Sequence, residues 1–93
     1  MKVLLLAKLI LALYEDPNEI RLHFAGPLWS RNIGLRKDLT IVVYWHTNAS
    51  DLAYDIARKV QEFGTEDALD KAIVDIKIMI HCRIDKLQCA LKD

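Results

Sequence analysis

Ninety-three residues carry 13 Lys or Arg and 13 Asp or Glu, so the chain as a whole has no electrostatic bias toward nucleic acid or an anionic membrane. At 53% hydrophobic and 28% charged, with 3 Gly and 2 Pro, it reads as one folded domain, which excludes a low-complexity chain and leaves no room for a second core.

Val3 to Tyr14 is apolar almost all round and permits either a buried helix or a buried strand, Leu and Ala favouring helix. Lys8 interrupts the run, no small-x-small cleavage site follows, and the stretch is too short to span a bilayer, so neither a signal nor an anchor is expected. Glu15-Asp16-Pro17-Asn18 is a turn former. After it, Ile20, Leu22 and Phe24 alternate with Arg21, His23 and Ala25, which predicts a strand over Glu19 to Ala25 stopped by Gly26-Pro27.

Leu28 to Lys37 then reads as a loop. Asp38 to His46 carries Ile41, Val42, Val43, Tyr44 and Trp45 in succession, the pattern of a central strand covered on both faces. Asn48 or Ser50 can cap the next helix, in which Leu52, Ile56, Val60 and Phe63 trace one buried stripe ended by Gly64. A helical turn around Glu66 to Lys71 leads into the last strand, and Lys86 to Lys92 forms a final turn.

From Val74 to Ile84 apolar and polar positions alternate with Met79 as the only break, and six β-branched residues lie between Ile73 and Ile84, which predicts a half-buried strand. A helix competes there, because Leu69, Ile73, Ile76, Ile80, Ile84, Leu87 and Leu91 recur at steps of three and four. It would place Val74 and Ile78 toward solvent and Arg83 near the apolar stripe, so the strand is preferred. These elements predict an α+β fold: a single small domain over residues 1–93, with a three- to four-stranded, mainly antiparallel sheet and one or two helices packed on one face.

Chemical motifs are sparse. There is no phosphate-binding glycine loop, no Cys-x-x-Cys, no His-Glu-x-x-His and no Gly-x-Ser-x-Gly. His23, His46 and His81 sit on or at the end of predicted strands and are the residues from which a zinc site would have to be built, but their spacing gives that no support. His81 and Cys82 would point to opposite faces of a strand, which rules out a nucleophile and base pair. His46 with Ser50 or Asp51 lies at a strand end, where capping the helix is the simpler role. No cofactor or metal is expected.

Charge is uneven along the chain. Arg31, Arg36 and Lys37 stand with no acid between Phe24 and Lys37, and with Trp29 they offer cations for phosphates and an aromatic face for a base. Cys82 and Cys89 are seven residues apart, too far to bridge along a strand or helix, which fits a reducing, cytoplasmic setting. Asn48-Ala49-Ser50 matches a glycosylation sequon, relevant only to a secreted chain.

Three functional readings follow. The first is a non-catalytic intracellular interaction protein, homodimeric through a sheet edge or open sheet face around Ile76, Ile78, Met79 and Ile80. The second is a nucleic-acid-binding module using Trp29, Arg31, Arg36 and Lys37, and the third a small hydrolase or metal enzyme using strand-end histidines. No part of the chain resembles a known family in motifs that can be quoted.

Overall fold

Among the described residues every regular element is a helix, in place of the predicted α+β sandwich. A computed structural model describes residues 2–24, 26–40 and 46–92, the side chains of 87–92 excepted. It contains α1 (Lys2–Leu13), α2 (Pro17–Phe24), α3 (Pro27–Asn32), α4 (Ala49–Phe63) and α5 (Ala68–Lys92). Among the described residues there is no strand, and the sole extended pairing is an isolated antiparallel bridge between Leu35 and Gly64. The predicted central strand falls on residues 41–45, which lie outside the described residues; Asp38 and Leu39 before them are irregular and Thr40 is in a turn.

The last helix is the largest correction. The alternation from Val74 to Ile84 is real in the sequence, but the competing stripe governs: Leu69, Ile73 and Ile76 are buried, while Val74 and Ile78 face solvent at 56% and 55% exposure. Two exposed apolar side chains are an ordinary feature of a folded surface. Helices draw most of their stability from packing one face, and that gain outweighs the modest strand preference of the β-branched residues.

Arg83, which appeared to disfavour the helix, reaches the end of α1 and donates to the Leu13 carbonyl, one of the four that a helix C-terminus leaves unpaired. At the other end of α1 the Lys2 ammonium pairs with Asp70 at 2.9 Å. The two contacts make α1 and α5 parallel, with α1 covering α5 from about Asp70 to Arg83. Residues 84–92 of α5, about 13 Å of helix at 1.5 Å per residue, run on past the end of α1.

The predicted strand over Glu19 to Ala25 is α2 as far as Phe24. Ile20 and Phe24, four apart, are fully buried and Leu22 is 86% exposed, as a helix requires. Asp16 starts it by accepting the Asn18 N–H at 2.9 Å, and Pro17 occupies the first helical position, where its missing N–H costs nothing. The predicted loop from Leu28 begins instead as α3, opened by Pro27. Its end is a Schellman motif: Gly34 has φ +78°, its N–H bonds the Arg31 carbonyl at 3.1 Å, and the Leu35 N–H bonds the Ser30 carbonyl at 2.8 Å.

The fourth helix follows its sequence signals. Asn48 accepts the Ser50 and Asp51 backbone N–H groups, and Leu52, Ala53, Ile56, Ala57 and Val60 form its buried face. Gly64 ends it at a point of close approach, where a Cβ would stand 2.5 Å from the Val60 carbonyl oxygen and against Ala68. The first helix packs most extensively on α4 and then on α5, through Leu6, Ala7, Ile10 and Leu13. Phe24 and Trp29 close one end of this core edge to face, with ring centroids 4.5 Å apart. Among the described residues no helix is long and apolar enough to cross a membrane.

Candidate interaction surface

The start of the α5 overhang and the corner between α1 and α2 enclose a cleft of about 560 Å³, lined by Leu13, Ile80 and Ile84 as its apolar part, by Glu15, Asp16 and Glu19 as its acidic part, and by Arg83. Arg83 stands between this cleft and a second of about 390 Å³ that continues past Met79, Cys82 and Lys86. The corner that holds both in place is built by the turn at Asp16-Pro17 and by a hydrogen bond of 3.1 Å between the Tyr14 hydroxyl and His23 Nδ1. Burial holds His23 below its ordinary pKa of 6.5, a shift opposed by the charge of Asp75.

The buried stripe of α5 fades into this region. Ile76 is fully buried, Ile80 is half-buried against the core, and Ile84 is 44% exposed. Around Ile84 the helix is mainly basic, with His81, Arg83 and Lys86 exposed beside Asp85. Glu15 and Glu19 take part in no ion pair among the described residues. Of the four residues proposed for a dimer contact, then, Ile76 belongs to the core, Ile78 faces solvent away from the stripe, and Met79 and Ile80 border the clefts.

The residues proposed for nucleic acid divide in the same way. Trp29 is 4% exposed and its indole is bonded to Asp75, so it offers no free face for a base. Arg31, Arg36 and Lys37 are exposed. The aromatic ring beside Lys37 is Phe63, which the sequence pattern assigns only to the stripe of α4; the Lys37 ammonium lies 5.6 Å from its centroid.

The histidines have separate surroundings. His23 bonds Tyr14, His81 is exposed on α5, and His46 Nε2 lies 2.9 Å from Asp55 Oδ2 on α4. Arg21 donates to the His46 carbonyl, so this pair ties α2 to the start of α4, while Ser50 and Asp51 give their backbone N–H groups to Asn48. Among the described residues no three His, Cys, Asp or Glu side chains converge as metal ligands. No family model, curated protein or solved structure matches the chain.

Proposed function

We propose that this protein is a small non-catalytic interaction module that pairs with a second copy of itself, the overhanging end of α5 from each copy lying in the acid-rimmed cleft of the other. The observation that carries the reading is the outrun of the apolar stripe: Ile84 sits one turn beyond the last half-buried member, Ile80, where α1 has already ended. An amphipathic helix laid into an apolar groove is a common mode of recognition, and a two-fold arrangement uses the same two surfaces twice.

Charge supports a second copy as the occupant. The end of α5 presents His81 and Lys86 beside Asp85, and the cleft presents Glu15, Asp16 and Glu19, with Arg83 of the same chain at its edge. Opposite potentials across an interface set register and exclude wrong partners. A reducing, cytoplasmic setting belongs to the same reading. Cys82 is free and exposed, and Cys89, two turns further along the same helix, stands about 10 Å away along the axis and beyond disulfide reach.

A charge-swap experiment tests the arrangement. Lys86→Glu alone and Glu19→Lys alone should each weaken self-association, and an equimolar mixture of the two variants should restore it, because both contacts of the mixed dimer then join opposite charges. Two variants that associate as the parent does, or a mixture that stays apart, would reject the arrangement.

A further inference from the structure

A second surface lies on the loop after α3. Gly34 turns the chain, Leu35 bridges to Gly64, and the Arg36 N–H donates to the Phe63 carbonyl at 3.1 Å, so the loop is held against the C-terminal end of α4. That attachment brings Lys37 to the half-buried ring of Phe63. Lys59, one turn earlier on α4, places its ammonium 5.5 Å from the same centroid while reaching Glu62 at 3.2 Å. Arg31, Arg36 and Lys37 have no acidic partner among the described residues, and Asp38 turns back to its own loop by accepting the Thr40 N–H.

A chain with no net charge therefore brings Lys37 and Lys59 to one aromatic ring, with Arg31 and Arg36 exposed on the segment that leads to it. We infer that Lys37 and Lys59 at Phe63, together with Arg31 and Arg36 on the segment leading to it, form a contact for single-stranded nucleic acid, with the cations on successive phosphates and the ring against a base. Phosphate contacts by Lys and Arg give affinity without sequence preference, and base stacking on an aromatic side chain distinguishes this ligand from a bare anionic surface. The contact is separate from the cleft at the end of α5 and does not depend on self-association.

Anisotropy of labelled oligothymidylate and oligouridylate, titrated at low and near-physiological salt, tests the inference, with anionic phospholipid vesicles as a parallel probe. Binding should weaken with salt by a log–log slope of about −0.7 per phosphate engaged. The Arg36→Ala, Lys37→Ala double variant, altered only at exposed side chains, should make that slope shallower by roughly 1.4. Phe63→Leu, checked for its helical spectrum, should lower affinity about tenfold at unchanged slope. Absence of oligonucleotide binding at low salt, binding to vesicles alone, or an unchanged slope in the double variant would each overturn it.

Discussion

The indole N–H of Trp29 donates to Oδ2 of Asp75 at 2.9 Å, joining α3 to the N-terminal third of α5 across 46 positions of sequence. The bond resolves what a tryptophan does among three cationic residues: it is a core side chain with its polar edge satisfied. Trp29→Phe keeps an aromatic ring against Phe24 but leaves the carboxylate without its donor, so it should lower unfolding free energy by about 1.5 kcal/mol. Urea denaturation measures this, and a midpoint equal to the parent's would show that the bond contributes nothing.

Arg83 ties α5 to the last turn of α1 through the Leu13 carbonyl. Arg83→Ala should cost about 1 kcal/mol, with Arg83→Lys recovering part of it, because a cation near a helix C-terminus also meets the favourable end of its dipole. Hydrogen exchange should report faster opening at the C-terminal end of α1 than in α4. Uniform loss of protection would place the role of Arg83 elsewhere.

His23 makes stability depend on pH in a stated direction. Burial lowers its pKa in the fold below 6.5, so the unfolded chain binds the proton more readily. The penalty is absent well above pH 6.5, grows as pH falls through that value, and is complete below the folded value. Asp75 limits it without reversing it. Parallel urea series at pH 8 and just below 6.5 should show lower stability at the acidic pH and a smaller difference in His23→Gln; equal differences would assign the dependence to another group.

Gly64 occupies a position with no space for a side chain, between the Val60 carbonyl and Ala68. Its φ of −91° is open to any residue, so crowding rather than backbone conformation makes the site selective. Gly64→Ala should therefore destabilise by about 1–3 kcal/mol, and thermal melting should shift down accordingly. Gly26, with open space around its missing Cβ, is the control expected to tolerate alanine.

How far the sequence is legible depends on whether an element is set locally. The α4 helix was readable in full because its cap at Asn48, its stripe and its terminator Gly64 all lie within it. Pro27 reads equally as the stop of a strand and as the first residue of α3, and Asp16-Pro17 equally as a turn and as the start of α2, while Gly34 marks only the end of α3. Short helices carry little periodic signal, so Ile20, Leu22 and Phe24 fit a strand until burial separates the first and third from the second. For α5 the deciding facts are non-local: α1 lies along the stripe, and the Leu13 carbonyl provides a place for Arg83. Of the candidate surfaces, the exposure of Arg31, Arg36 and Lys37 followed from their charge. The inward turn of Trp29 and the arrival of Lys37 at Phe63 depend on how the loop is attached.

The molar mass of the protein by sedimentation equilibrium over a wide concentration range, beside that of Ile84→Glu, tests the central claim most directly. Ile84 is exposed in the single chain, so the glutamate should leave the helical bundle intact while placing a negative charge where the stripe should meet the partner's acid-rimmed cleft. The account predicts a dimer that dissociates on dilution for the parent chain and a monomer for the variant. A parent chain that stays monomeric at every concentration, or a variant that dimerises as strongly as the parent, would contradict it.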